Sequence, residues 1–128
     1  MKKVIITTLI IMSFLFSCST LIPLRSLDEV PNYIIEDAKE IKVFLLGQNA
    51  NLSDYQFISQ ISAYSCKHLI TDPPSSTGDA LYRLKIEAAY INADAIIDVT
   101  FDTRGTDALG TNCWDSVYAS GNAVSLSN

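Results

Sequence analysis

At 128 residues, with 48% hydrophobic and 18% charged side chains, the chain has room for one domain with a modest core. Fourteen acidic against nine basic residues give a formal charge of −5. Lys and Arg cluster nowhere in the way phosphate neutralisation needs, which argues against a nucleic-acid or anionic-lipid binding surface.

At the amino terminus, Lys2 and Lys3 precede 13 uncharged residues, 4–16. That is the length of a signal h-region and short for a membrane-spanning helix. The apolar run closes on Leu15-Phe16-Ser17-Cys18. A cysteine directly after a small residue at a cleavage point is the order in which a lipoprotein signal ends. Residues 1–17 are therefore expected to be removed and Cys18 acylated; an uncleaved anchor and ordinary secretion are the alternatives. Ser19, rather than an Asp, follows the cysteine, which favours export to an outer membrane. Acyl chains, at about 0.8 kcal/mol per buried methylene, would tie the chain to the bilayer far better than any surface patch it carries.

With Cys18 acylated, Cys66 and Cys113 are left as an even pair in an oxidising compartment, and a disulfide between them is the default expectation. The two lie 47 positions apart, and closing a loop of that length stabilises a domain by about 4 kcal/mol in the chain-entropy model.

Residues 18–40 read as the acylated cysteine and a tether, with two prolines, mixed charges and a short helical stretch at 34–39. The folded domain is placed at 41–128. Residues 41–46, IKVFLL, predict a buried strand. Residues 55–63 predict a second, with Phe57, Ile61 and Ala63 on one side. The Asp72-Pro-Pro loop forbids regular pairing. A helix is predicted over 79–92, opened by a capping-box-like Ser76 and Asp79, its stripe formed by Leu81, Leu84, Ala88, Ile91 and Ala95. A third strand follows, with Ala95, Ile97, Val99 and Phe101 pointing one way and Asp98, Thr100 and Asp102 the other. After a loop at 104–112, a fourth strand from Trp114 carries the small-residue face Val117, Ala119, Gly121 and Ala123. The order is β-β-α-β-β, an α+β fold with one helix on a roughly four-stranded sheet.

Residues 61–66 (ISAYSC), the Asp72-Pro-Pro-Ser75 loop, the helix end Asn92-Ala93-Asp94-Ala95-Ile96-Ile97, and Cys113 followed by Val117 and Ser120-Gly121-Asn122-Ala123 together resemble the RcsF family of outer-membrane lipoproteins. The likeness covers about residues 55–126 and the lipoprotein signal. It implies a small disulfide-stapled periplasmic domain that senses envelope stress for the Rcs phosphorelay, with one family disulfide matching Cys66 with Cys113. The family's second disulfide matches Thr100 and Ala119 and is absent. The loop at 104–112 is longer than the family's, and the tether is shorter and less basic.

No catalytic residue, metal site or cofactor is expected. His68, two residues after Cys66, invites a thiol-base or metal reading, but a pair at that spacing rarely suffices. Asp98 and Asp102 read as solvated positions about 13 Å apart along a strand. Trp114 and Tyr118 read either as packing beside the bridge or as a partner-binding aromatic pair. The resemblance implies a non-enzymatic sensor acting by protein contact. Its partners would be the bilayer through Cys18, outer-membrane β-barrel proteins with their assembly machinery, and an inner-membrane Rcs regulator. The alternative is a structural or assembly-accessory lipoprotein with the same fold.

Overall fold

The computed structural model describes residues 26–48, 52–106 and 112–127. The expected signal, Cys18, Ser19 and the first part of the tether lie outside the described residues, as does the middle of the 104–112 loop.

The remainder of the expected tether is built into the domain. A 3-10 turn, Leu27–Glu29, leads through Pro31 into helix α1, Asn32–Glu40. Proline fixes φ near the helical value and gives up an N–H that has no partner at a helix start. Val30, Ile34 and Ala38 recur every fourth residue, and this stripe is buried. Ile41, in extended backbone, turns the chain into strand β1, Lys42–Leu45.

Strand β2, Tyr55–Lys67, runs four residues beyond its predicted end. Helix α2, Thr77–Tyr90, follows. Ser76 caps it, its Oγ accepting from the Asp79 N–H at 3.1 Å. The reciprocal half of a capping box is missing: the Ser76 N–H donates to Ser65 Oγ, and the Asp79 carboxylate pairs with Arg83 one turn on. At the other end Asn92 sits at φ 54° while the Ala93 N–H donates back to Ala88, a left-handed cap of the Schellman kind. Strands β3, Ala95–Thr103, and β4, Asp115–Leu126, complete the chain.

The sheet order is β1-β3-β4-β2, with β1 parallel to β3 and the other pairs antiparallel. The fold is α+β, as expected, with a mixed four-stranded sheet and a second helix. One face of the sheet carries α2. Ala80, Leu84 and Ala88 pack there on Ala63, Ile96, Val99, Val117, Ala119 and Ala123, with Leu81, Ile91 and Ile61 alongside. The predicted helix stripe and the small-residue face of β4 therefore meet. Gly121 belongs to that face because a Cβ there would lie 2.6 Å from Ile96 Cγ2 and 3.0 Å from Val99 Cγ2. The far side of α2, Ile86 and Ala89, receives Val30, Ile34 and Ala38 of the α1 segment.

Two predicted strand faces are corrected, each by a bulge against β4. In β2 the register shifts between Phe57 and Ser59, so Phe57 aligns with Val124 while Ile61 aligns with Gly121. Phe57 thus lies on the sheet face away from α2 and is exposed, whereas Ile61 and Ala63 face the helix. In β3 the register shifts between Ile97 and Thr100, around Asp98 at φ 54°. An extra residue inverts the alternation. Ile96, Val99 and Phe101 face α2, while Ala95 and Ile97 pack with Val124, Phe44, Leu52 and Leu126 on the opposite face. Ala95 is accordingly a strand residue with its back to the helix and not the end of the helix stripe.

Candidate functional site

Cys66 lies one residue before the end of β2, opposite Ser116 of β4. The segment before β4 stays beside it because the Trp114 N–H donates to the Lys67 carbonyl at 2.8 Å. This brings Cys113 into bonding range, and the expected Cys66–Cys113 disulfide is present, its Cα atoms 5.4 Å apart and the two residues 47 positions apart in sequence. Cys113 is 1% exposed and Cys66 half-buried. The chain before β4 is pinned from the other side as well. The Arg104 N–H donates to the Ser116 carbonyl, Ser116 Oγ donates to the Gly105 carbonyl, and Thr106 Oγ1 donates to the Trp114 carbonyl.

His68 follows directly on β2. Its Nε2 is 3.3 Å from Cys66 Sγ and its Nδ1 is 3.3 Å from the Asn112 carbonyl oxygen. A carbonyl can only accept, so Nδ1 is the protonated nitrogen of this contact, and in the neutral ring Nε2 turns a lone pair toward sulfur. Asn112 adopts φ 57°, a conformation Asn tolerates better than most side chains.

Beyond His68 the chain turns on the Asp72 carboxylate, which accepts from the His68 N–H at 3.1 Å and the Leu69 N–H at 2.8 Å. The turn lifts two apolar side chains away from the core. Leu69 is 63% and Ile70 84% exposed, and Trp114 beside them is 65% exposed. The three share two open hollows of about 250 and 370 Å³, one bounded by Lys67 and Asp115 and the other by His68 and Thr71. Large apolar side chains grouped in this way mark a contact surface more often than scattered ones do.

Of the two aromatic candidates, Trp114 belongs to this patch. Tyr118 does not. It is half-buried on the sheet face away from α2, its ring centroid 4.8 Å from that of Tyr64. Arg104 covers it, with the guanidinium carbon 4.3 Å from the Tyr118 centroid and Nη1 donating to Tyr64 Oη at 3.1 Å. Leu69 and Ile70 are the members of the patch that the sequence did not single out. Two neighbouring apolar residues in a turn just ahead of Pro73-Pro74 were the available signal.

Asp98 and Asp102 each have their own partner, Asn122 Nδ2 at 3.4 Å and Arg104 Nε at 3.1 Å. The Asp102 hydrogen bond holds the Arg104 pKa above its ordinary value. Asp115 lies near the patch and accepts from both the N–H and Oγ of Ser75, at 3.1 and 2.6 Å, which holds its carboxyl below the usual value. Thr100 and Ala119 lie on neighbouring strands but on opposite faces. Thr100 aligns with Ser120, their hydroxyl oxygens 3.1 Å apart, while Ala119 aligns with Phe101 toward the helix. This backbone does not set those two positions up for a second bridge.

Among the described residues no helix is long and apolar enough to cross a membrane. No family model and no curated protein matches the chain. Among solved structures it is similar to a protein of unknown function of the DUF74 family from Pediococcus pentosaceus, at 19% identity and a TM-score of 0.48, over 68% of this chain and 98% of that one.

Proposed function

We propose that the chain is a non-enzymatic lipoprotein, anchored in an outer membrane through acylated Cys18, that reports envelope stress to an Rcs-type phosphorelay by protein contact. The observation that carries the contact reading is the exposed group of Leu69, Ile70 and Trp114 beside the disulfide. Tryptophan is enriched among residues that dominate binding energy, and water-exposed apolar surface gains most when a partner covers it. A β-barrel protein or its assembly machinery would hold the domain at rest, and the inner-membrane regulator would read it when it is released. The lipoprotein signal and the RcsF-like motifs support that assignment.

The test is retargeting in a host with a complete Rcs pathway. Ser19→Asp keeps the protein in the inner membrane, beside the regulator, where its effective concentration is high. The reporter should switch on without stress, and Trp114→Ala combined with Ile70→Ser should reduce that output while the domain stays folded. A reporter indifferent to verified mislocalisation would favour the accessory-lipoprotein reading.

A further inference from the structure

His68 lies beside the bridge without taking part in it, one ring nitrogen toward Cys66 Sγ and the other toward the Asn112 carbonyl. The Cys66 and Cys113 sulfurs and a His68 nitrogen all lie within 4.8 Å of one another. We propose that, once the bridge is reduced, Cys66, Cys113 and His68 form a three-donor site for a thiophilic d10 cation such as Zn2+.

Two thiolates and an imidazole are a donor set suited to zinc, leaving a fourth position for water or an outside ligand. The Sγ to Nε2 distance of 3.3 Å is already close to the roughly 3.5 Å that two such donors keep around a tetrahedral zinc. The Nδ1 contact with the Asn112 carbonyl is the kind of outer contact that orients a metal-binding histidine and presents its other nitrogen. Reduction frees the two sulfurs to separate to about 3.8 Å, the spacing of thiolates sharing a tetrahedral zinc, and side-chain rotation supplies this with the Cα atoms 5.4 Å apart. The backbone keeps the donors together without the bridge. The β2–β4 ladder runs through Cys66↔Ser116 to Lys67↔Asp115, and the Trp114 N–H closes on the Lys67 carbonyl. His68 is exposed, so the fourth position opens toward solvent and the Leu69, Ile70 and Trp114 patch.

The chemistry balances with a dithiol as reductant. Its first thiolate attacks Sγ of Cys66, the more exposed of the two residues, and Cys113 leaves and takes a proton. Its second thiol resolves the mixed disulfide, releasing Cys66 as a thiol and the reductant as a disulfide. Binding of Zn2+ to the two thiols then releases two protons, while His68 contributes the Nε2 lone pair. The site is independent of the sensor assignment and would exist in either envelope reading.

The experiment uses the periplasmic domain from Cys18 as isolated, reduced with a dithiol, freed of reductant without oxygen, and titrated with Zn2+ against a chromophoric chelator. One zinc per reduced chain is expected, with none bound by the oxidised chain, and two protons should appear in weakly buffered solution. Cys66→Ser should abolish tight binding, and His68→Ala should weaken it at least about 10-fold. Circular dichroism establishes whether the reduced chain is folded, and the titration is repeated in concentrated urea. Equal binding by reduced and oxidised protein would overturn the proposal. So would His68→Ala binding as tightly as wild type, or zinc affinity unchanged by urea, which would make the cysteines a floppy chelating pair. A reduced chain that is unfolded and does not refold on adding zinc would overturn it too.

Discussion

Arg104 sits over the ring of Tyr118, its guanidinium carbon 4.3 Å from the ring centroid, and reaches on to hydrogen-bond Tyr64. One side chain from the loop after β3 thus seals two tyrosines on the sheet face that α2 does not cover. Arg104→Ala should lower stability by about 1–2 kcal/mol, combining the lost cation–π contact, the lost hydrogen bond and the lost cover. The exposed Asp102 pair adds little. Arg104→Lys should recover only part of the loss, since an ammonium cannot lie flat on one ring while bonding the other. Urea unfolding midpoints of the three proteins provide the check.

Gly121→Ala should destabilise by about 1–3 kcal/mol, because a Cβ would collide with Ile96 and Val99 of the adjoining strand and approach the Ile97 carbonyl. Gly78→Ala is the contrasting case. In the first turn of α2 its nearest neighbour would be Ser76 Oγ at 4.0 Å, so the change should be neutral or stabilising by up to about 1 kcal/mol. Opposite shifts in melting temperature are expected.

Which parts of this fold could be read from the sequence follows from where its periodicity is clean. The α2 stripe and the small-residue face of β4 were legible because each keeps its period over its whole length. The faces of β2 and β3 were not, because one extra residue near Ile58 and another near Asp98 invert the alternation midway. Asp tolerates a left-handed backbone better than most side chains, but inside a run that alternates apolar and polar residues Asp98 reads as an ordinary solvent-facing strand position. Helix α1 was half visible: the stretch at 34–39 looked helical, but only the second apolar face of α2, Ile86 and Ala89, explains why it docks. At the site, cysteine counting reached the disulfide. The closeness of His68 to both sulfurs needed the path taken by Asn112, and the exposure of Leu69 and Ile70 needed the Asp72 turn.

Asp115 should give the domain an acid-sensitive element. The two Ser75 hydrogen bonds lower its carboxyl in the folded chain, so its contribution is fully present above the ordinary Asp value of about 3.9. It is lost as the pH falls below that value and through the lower folded-state one. The stability difference between wild type and Asp115→Asn should therefore be constant near neutrality and shrink below about pH 4. Ser75→Ala should reproduce part of the effect. Urea unfolding across the acid range measures both; a difference that grows on acidification would contradict the assignment.

Replacing both Cys66 and Cys113 with Ser should cost about 2–5 kcal/mol. His68→Ala in the oxidised protein should change stability by less than about 0.5 kcal/mol, since the ring is exposed and its contacts are long. Thermal unfolding with and without reductant separates the two.

The seat of α1 on α2 would also limit how far the domain could stand from a lipid on Cys18. From Cys18 to Leu27 the chain can stretch no further than about 30 Å. A lipid on Cys18 would then hold the sheet close against its own leaflet, and a partner would have to come to that surface to meet it. Peeling Val30, Ile34 and Ala38 away from Ile86 and Ala89 would free the chain as far as Ile41 and raise that ceiling to about 80 Å if α1 also unwound, at the cost of wetting both apolar faces. With a lipid on Cys18, the greatest distance between anchor and body would therefore take one of two values, and the buried face of α1 favours the shorter.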